Sequence, residues 1–217
     1  MEHDFFGSMQ YKSIALLFLI VSQFILMAFI PFTERELEII HSGEGEAPFR
    51  VLQVTDPIDS LVLRMQSVNV DPDSIVDNES LQLLVRRLVV TMQVSGGVGI
   101  AAPQVGVLKN IFVFSRLDLP DEPVRVVINP KIIHFPKDTV CFERDGCLSI
   151  PDIRANSFRL PWVDVEYWDE KGDFHSEHLE GYSRNESFTA VIFQHEYDHL
   201  RGILFTDKIC PETGPEL

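Results

Sequence analysis

Two histidines and a glutamate near the C-terminal end have the spacing of a metal-binding helix. His195 and His199 are four residues apart, and Glu196 directly follows the first histidine. Residues i and i+4 of an α-helix lie on one face, so both imidazoles can reach one metal ion. The glutamate can stand beside that metal and accept a proton from a water molecule. The alternative is an amphipathic helix with surface histidines. The metal site is favoured over this alternative if the rest of the chain supplies a third ligand and oxyanion donors.

A cysteine and a glycine-rich stretch upstream are candidates for these missing parts. Cys147 lies in the sequence Arg-Asp-Gly-Cys-Leu-Ser-Ile-Pro at residues 144–151. Its thiolate would be a soft ligand suited to iron or zinc, although a lone cysteine in an apolar setting is more often structural. Residues 97–106 contain four glycines or alanines before a glutamine, and such a run lets a ligand approach exposed backbone N–H groups. An equally supported interpretation of this stretch is a tight turn that only packs against its neighbours.

Length and composition predict one domain with a real core, plus an appendage. The chain has 217 residues, of which 45% are apolar and 24% are charged, and these values exclude disorder of the whole. The net charge of -15 argues against broad binding to nucleic acid or anionic lipid. The three cysteines, Cys141, Cys147 and Cys210, are too few and odd in number for a disulfide framework. They favour metal binding or free thiols, and hence a reducing compartment.

An apolar segment precedes the part of the chain that contains the motifs. Residues 14–30 are interrupted only by Ser22 and Gln23, which is just long enough to span a thin bilayer. No small-x-small cleavage site stands out after it, so a membrane anchor is favoured over a cleaved signal peptide, and a buried core helix ranks third. If translation began at Met9, a signal peptide would fit better. Residues 32–48 are charged and lack a sustained period, as a linker would.

These features give three predicted segments. Residues 1–47 are the apolar segment and linker, residues 48–210 are a catalytic domain, and residues 211–217 are a short tail. Apolar periodicity predicts a helix over residues 80–93, which a glycine pair ends. A Ser-x-x-Glu capping pattern at residues 183–186 predicts a second helix that continues through His199. Strands are predicted at residues 51–54, 110–114, 124–128, 131–135, 163–168 and 174–179, the last two as a hairpin.

Taken together, the motifs resemble the peptide deformylase family. Three stretches match that family's pattern in the right order, at residues 97–104, 146–149 and 194–199, and the resemblance covers about residues 51–207. It implies an α+β fold in which short, mainly antiparallel sheets surround the H-E-x-x-H helix. It also implies a metallohydrolase that removes the N-formyl group from the initiator methionine of nascent polypeptides and releases formate.

The resemblance also implies a role for each motif residue. The metal ligands would be Cys147, His195 and His199, with Fe²⁺ favoured and Zn²⁺ or another divalent ion as the alternative. Glu196 would be the general base. The oxyanion would receive hydrogen bonds from Gln104 and from the backbone N–H of Leu148.

Substrate recognition is predicted from residues around these motifs. The backbone of Gly99 would pair with a peptide laid alongside as an extra strand. Phe188, Val191 and Ile192, together with Ile100, would line an apolar pocket for the methionine side chain, although ordinary core packing is an equal alternative for each. Arg154 would meet the backbone or carboxylate end of a short peptide.

One departure from the family pattern affects the loop that carries the cysteine. Asp145 stands where the family usually has glutamate, and Arg159 is the natural partner for that carboxylate. The shorter side chain would require the loop to move by about a bond length or two, because aspartate has one methylene fewer. The predicted Asp145–Arg159 ion pair is structural, and all ligands, the base and both oxyanion donors remain.

Two other functions are alternatives to deformylation. An H-E-x-x-H metalloprotease is disfavoured because such sites draw a third ligand from downstream, and no histidine follows His199. A membrane-tethered, non-catalytic binder of formylated peptides is the alternative from a different class. Because formylated nascent chains are cytoplasmic, a working enzyme is expected in the cytoplasm, near ribosomes, and tethered to the inner membrane face if residues 14–30 are an anchor. No nucleic-acid partner is expected, and the short tail is unlike the basic ribosome-contacting helix of some relatives.

Overall fold

A computed structural model describes residues 31–43 and 45–211 of the chain. Within these residues the α-helices are α1 (Glu34–Ile40), α2 (Pro57–Leu63), α3 (Glu79–Val94) and α4 (Thr189–His199). The strands are β1 (Gly99–Ala101), β2 (Ile111–Ser115), β3 (Val124–His134), β4 (Val140–Cys147), β5 (Ile150–Arg159), β6 (Trp162–Trp168) and β7 (Phe174–Glu180). Short 3₁₀ helices lie at Pro72–Ser74, Ala102–Val105 and Phe205–Lys208.

The strands form two antiparallel sheets. Five strands are ordered β1-β2-β3-β6-β7, and β4 and β5 form a separate hairpin. Strand β1 is therefore at an edge of the larger sheet, with one side free of strand partners in the described part of the chain. This arrangement confirms the predicted α+β fold with short, mainly antiparallel sheets.

Helices α3 and α4 cover opposite faces of the larger sheet, because its strands are apolar on both faces. Phe112 and Phe114 point to the α4 side, where their rings lie 5.0 and 5.7 Å from the ring of Phe193. Ile111 and Val113 point to the other side and join the core beneath α3. The helix with the two histidines is thus central, as predicted, and is anchored by its buried apolar residues.

The predicted helix over residues 80–93 is confirmed as α3. It begins after Asn78, whose side chain accepts a hydrogen bond from the backbone N–H of Leu81 at 3.0 Å. This bond satisfies one of the N–H groups that a helix N-terminus leaves without an intrahelical partner. Leu81, Leu84 and Leu88 are fully buried, which matches the predicted apolar face.

Two strand predictions are wrong in detail. Residues 51–54 make isolated backbone hydrogen bonds to Gln104 and Ser149 but join no sheet. Residues 124–134 form a single strand, although Asn129 and Pro130 were expected to separate two. Asn129 adopts a left-handed conformation (φ 53°), and its side chain bonds the backbone of Val70, so the chain accommodates it as a bulge in β3.

The helix predicted from the capping pattern at residues 183–186 begins later than expected. Helix α4 starts at Thr189, and the Ser-x-x-Glu pattern forms a turn in which the N–H of Ser183 donates to the carbonyl of Ser187. Arg184 within this turn donates to two carbonyl oxygens of β4. These contacts hold residues 183–187 outside the helix.

The interpretation of residues 32–48 as a linker is wrong for α1. This helix has a capping box between Thr33 and Glu36, and Ile40 at its end is fully buried against the core. The carboxylate of Glu36 accepts a hydrogen bond from the backbone N–H of Leu108 and lies 3.4 Å from the ammonium of Lys109. These contacts make α1 an integral part of the fold.

The prediction that all three cysteines are ligands or free thiols is wrong for two of them. A disulfide bond joins Cys141 on β4 to Cys210. The two residues are 69 positions apart, and they meet because the C-terminal segment runs beside β5, where Ile209 bridges Ser157 and Cys210 donates to the carbonyl of Asn156. Spacing along the sequence does not reveal this proximity. Cys147 is a buried free thiol.

We expect the substitution Cys210→Ser to lower the free energy of unfolding by about 2–4 kcal/mol. Cys141 and Cys210 are 69 positions apart, and without the disulfide this segment is no longer closed into a loop, so the unfolded chain has more conformational freedom. Urea unfolding without reductant measures this loss. A reductant should lower the stability of the unsubstituted protein to that of the variant. Equal stability of the unsubstituted protein with and without reductant would contradict the expectation.

The predictions for the N-terminal segment concern residues outside the described part of the chain. Residues 14–30 are not described, so anchor, signal peptide and core helix all stay predictions. Across residues 31–43 and 45–211, no helix has both the length and the apolar character needed to cross a bilayer. Of the predicted tail, only Pro211 is described.

Candidate active site

A cavity of about 240 Å³ opens between the edge strand β1, the β4–β5 hairpin and helix α4. Its walls bring together the three sequence motifs, which are far apart along the chain. Residues 96–99 form one wall and residues 145–148 another, while α4 contributes Val191, Ile192, His195 and Glu196. The cleft predicted between the glycine-rich stretch and the cysteine loop is therefore present.

Three potential ligand atoms converge at the inner end of this cavity. Those of Cys147, His195 and His199 all lie within 4.8 Å of one another, and all three residues are buried. The sulfur of Cys147 is 3.2 Å from Nε2 of His199. Nδ1 of His195 lies 3.1 Å from Asp145, which leaves its Nε2 available. The thiolate comes from the end of β4 and both imidazoles from one face of α4, as the i, i+4 spacing predicts.

The chemistry of this donor set fits a divalent metal ion. One sulfur and two imidazole nitrogens leave an open position in a tetrahedral site, which is the pattern of catalytic metal sites. Nδ1 of His199 and Oε2 of Glu196 are buried and have no hydrogen-bond partner among the described residues. Burial lowers the pKa of His199 well below its usual value, so its imidazole is neutral and can act as a ligand. Burial also raises the pKa of Glu196 to about 7.

Glu196 lies against the backbone of Gly99 across the cavity. A Cβ atom at Gly99 would be 2.9 Å from Cγ of Glu196 and closer still to its carboxylate. Only glycine therefore allows β1 to run so close to this carboxylate. The contact places the carboxylate against the edge strand, in the cavity that Cys147 and His195 also line.

Gln104 and Leu148 flank the sulfur of Cys147. The side-chain oxygen of Gln104 accepts a hydrogen bond from the N–H of Ala101, and its amide nitrogen is 3.4 Å from the sulfur. The orientation of this buried amide is thereby fixed, with its N–H₂ group toward the ligands. The carbonyl of Leu148 accepts a hydrogen bond from Gln53, and Leu148 itself lines the cavity.

A buried network of charges holds His195 in place. Asp145 and Arg159 are 2.6 Å apart, and the same arginine lies 2.7 Å from Asp198. Burial opposes the charged form of Asp145, but His195 and Arg159 hold the pKa of its carboxyl well below the usual range. The shorter side chain of aspartate therefore still reaches both partners. Lys208 also contacts Asp198 at 2.7 Å, a contact that no sequence motif or periodicity indicates.

The predicted pocket residues divide into two groups. Phe188, Val191, Ile192 and Arg154 line the cavity. The expectation that Ile100 lines it is wrong, because alternation along β1 turns this side chain into the core beneath α3, where it is fully buried. Sequence reasoning missed Phe142 and Arg184, which also line the cavity. The positions of these two residues depend on the β4–β5 hairpin and the turn before α4, and neither was predicted.

These features define a class of protein. A thiolate and two imidazoles converge on one open position, with a buried carboxylate beside it and a free strand edge along the cleft. Such sites belong to metal-dependent hydrolases, and the free edge suits an extended peptide as substrate.

Comparison with known proteins identifies the family. The family model for polypeptide deformylase matches residues 48–214. The peptide deformylase of Thermotoga maritima is 40% identical over 134 residues, which cover 62% of this chain and 75% of that protein. The crystal structure of the Thermotoga maritima enzyme covers 76% of this chain and 99% of that chain, with a TM-score of 0.64 and 35% identity. A class I type b peptide deformylase from Acinetobacter baumannii, bound to Met-Ala-Ser, has a TM-score of 0.64 and 31% identity and covers 76% and 99% of the two chains.

The chain belongs to the polypeptide deformylase family. It is a metal-dependent hydrolase, and the catalytic interpretation is supported over that of a non-catalytic binder.

Proposed function

We propose that this enzyme removes the formyl group from N-formylmethionyl peptides through the residues that converge in the cavity. The observation that carries the proposal is the cluster of Cys147, His195 and His199, with Glu196 beside it and the free edge of β1 along the cleft. Cys147, His195 and His199 would hold the metal ion. When bound there, a divalent metal ion supplies Lewis-acid activation of water and of the formyl carbonyl.

The remaining residues of the site transfer a proton and stabilise the negative charge that develops on the formyl oxygen. Glu196 accepts the proton from the attacking water and returns it to the departing amine, a role for which a pKa near 7 is well matched. As the formyl carbon is attacked, its oxygen gains negative charge. The N–H₂ group of Gln104 and the backbone N–H of Leu148 donate hydrogen bonds to it, and Gln104 is already held in a fixed orientation. Cleavage of the C–N bond gives formate and a free N-terminal methionine.

The cavity also explains the choice of peptide. A peptide paired with the free edge of β1 at Gly99 would extend the sheet by one strand. Its first side chain would enter the pocket formed by Phe188, Val191 and Ile192, whose apolar surface suits methionine. Arg154 would meet the backbone or carboxylate further along the peptide. The Met-Ala-Ser peptide bound to the Acinetobacter baumannii enzyme is the product of this type of substrate.

The metal is proposed to be Fe²⁺, because a thiolate with two imidazoles suits this ion as well as Zn²⁺, and the family resemblance favours iron. Chelation should abolish formate release from formyl-Met-Ala-Ser, and Fe²⁺ added without oxygen should restore it. Restoration by Zn²⁺ alone would overturn the choice of iron. If neither ion restores release to a protein that binds it, the proposed function itself is wrong.

We expect Gln104→Ala to lower kcat on the order of 100-fold, because it removes a fixed donor to the oxyanion. Formate release under saturating formyl-Met-Ala-Ser measures the effect. Gln82→Ala is a matched control, since Gln82 donates hydrogen bonds to the backbone carbonyls of Ile75 and Glu170 and does not line the cavity. An unchanged kcat for the Gln104 variant would remove it from the mechanism.

The cellular location is proposed from the substrate and the N-terminal sequence. Formylated nascent chains arise on ribosomes in the cytoplasm, so we propose that the enzyme works there, close to ribosomes. The apolar run at residues 14–30 supports a tether at the inner face of the membrane. The Cys141–Cys210 disulfide is unusual for a reducing compartment. Whether this bond is present in the cell therefore tests the proposed location.

Two measurements on the tagged full-length protein test this location. Fractionation with added protease should find it in the membrane fraction and accessible only from the cytoplasmic side. If the enzyme lies in the cytoplasm, the reducing conditions there should keep this disulfide open, and rapid alkylation of cells should then trap Cys141 and Cys210 as thiols. A soluble protein would overturn the tether alone, whereas protease access from the outer side together with an intact disulfide would overturn the cytoplasmic location.

A further inference from the structure

The outer end of the active-site cavity carries an excess of positive charge in a chain whose net charge is -15. Two carboxylates and two arginines line the cavity, but the carboxylates are buried at its inner end. Asp145 is paired with Arg159, and Glu196 packs against Gly99. The exposed side chains of Arg154 and Arg184 are therefore the charges that an arriving substrate meets.

Arg184 is held rigidly for an exposed residue. Its guanidinium donates to the carbonyl oxygens of Glu143 and Arg144 at 3.0 and 2.8 Å. It also lies 4.8 Å from the ring centroid of Phe142 and 4.9 Å from that of Phe188. Since both rings line the cavity, these contacts fix a cation at the lip of the proposed methionine pocket.

Arg154 approaches the same space from β5. A Cβ atom at Gly146 would lie 2.6 Å from Cδ of Arg154, so this side chain packs directly on the glycine before Cys147. Neither Arg154 nor Arg184 has a carboxylate within ion-pair distance among residues 31–43 and 45–211. Burial lowers the pKa of Arg184, the charge of Asp145 opposes this shift, and the charges of Arg144 and Arg154 add to it.

A peptide on the edge of β1 would bring a particular side chain to these arginines. Successive side chains of an extended chain point to opposite faces, so the first and third residues share a face. With methionine in the pocket, the third side chain points back toward the pocket lip. Two unpaired guanidinium groups at that place favour a negative charge and disfavour a positive one.

We propose that Arg184 and Arg154 form a specificity rim, which selects formylated peptides with an acidic side chain at the third position. This inference rests on the proposed deformylation at the same site. The rim stabilises the bound peptide and does not take part in the chemical step. Its effect therefore appears in kcat/KM through KM, and it weakens with salt because both arginines are exposed.

Three amidated peptides test the rim on the full-length, metal-loaded enzyme. They are formyl-Met-Ala-Glu-NH₂, formyl-Met-Ala-Gln-NH₂ and formyl-Met-Ala-Lys-NH₂, in which amidation removes the terminal carboxylate as a competing charge. At low ionic strength we expect kcat/KM to be about 3- to 10-fold higher for the glutamate than for the glutamine peptide, and lowest for the lysine peptide. The glutamate preference should fall when salt is raised to about 0.5 M, where the screening length is only a few ångströms.

Two variants and a control assign the preference to the arginines. Arg184→Met keeps an unbranched apolar chain over the two rings, and we expect it to lower the glutamate-to-glutamine ratio of kcat/KM because it removes one of the two charges. Arg154→Met should reduce the ratio by itself. Arg201→Met is the matched control, because Arg201 stacks on Tyr197 at 3.6 Å and does not line the cavity, so it should leave the ratio unchanged.

The outcomes separate the rim from the reaction. Formate release at equal rates from the glutamate and glutamine peptides would overturn the rim and leave the proposed function standing. A preference that is undiminished in both arginine variants would also overturn it. If no peptide releases formate, the proposed function fails, and the rim is then tested by binding of Met-Ala-Glu-NH₂ and Met-Ala-Gln-NH₂, whose equal Kd values would overturn it.

Discussion

Glu196→Gln is expected to lower kcat for formyl-Met-Ala-Ser by about 10²–10⁴-fold, because the amide cannot accept the proton of the attacking water. Glutamine has nearly the same shape, and the buried carboxylate has no hydrogen-bond partner at Oε2 among the described residues, so the change disturbs little of the surrounding packing. Glu196 is not one of the three ligand residues. The bound metal per protein should therefore stay unchanged while the rate falls.

The control for the Glu196 variant is the same substitution of glutamate by glutamine at a position outside the cavity. Glu180 on β7 has an exposed side chain, and Glu180→Gln should leave kcat unchanged. Steady-state formate release and metal analysis of the same samples measure both quantities. A Glu196 variant that loses its metal would show that this residue acts as a ligand, and a variant with full activity would show that the base lies elsewhere.

Cys147→Ser is expected to weaken metal binding by at least about 100-fold, beyond the 10–100-fold cost of removing a group that only orients a ligand. A serine hydroxyl is a hard, largely protonated donor, whereas the cysteine thiolate is soft and carries a charge. Activity should fall in proportion to the lost metal. Any remaining affinity should favour a harder ion than Fe²⁺ or Zn²⁺.

The double variant Cys141→Ser/Cys210→Ser provides a matched control, since it removes the other two cysteines and leaves the ligand cluster intact. It should be less stable but should bind the metal with unchanged affinity. Competition with a chromophoric chelator measures the affinities of both proteins. Unchanged metal content and rate in the Cys147 variant would remove the thiolate from the site.

The residues at the chemical centre were predictable because local spacing places them. The four-residue separation of His195 and His199 puts them on one helix face in any fold that keeps the helix, and the family motifs added Cys147. The Asp145–Arg159 contact was also predicted, because the family resemblance pairs the carboxylate at this position with an arginine. Helix α3 followed from its apolar period alone.

The features that were missed depend on contacts between distant segments. Strands β4 and β5 carry register shifts around Asp145 and left-handed residues at Arg144 and Asp152, so no regular alternation marked them in the sequence. The same hairpin brings Cys141 to Cys210 and Phe142 to Arg184. The orientation of Ile100 was mistaken because the direction of β1 relative to the cavity was unknown. Short motifs thus predicted the cysteine and the two histidines that converge in the cavity, whereas the walls of the cavity required the tertiary structure.

Formate release by the Fe²⁺-loaded full-length protein tests the central claim most directly. The measurement compares formyl-Met-Ala-Ser with acetyl-Met-Ala-Ser and follows formate or acetate together with the free N-terminal amine. We expect one formate for each new amine from the formyl peptide and little release from the acetyl peptide. A folded protein with its metal bound that releases neither formate nor amine from the formyl peptide would contradict the assignment.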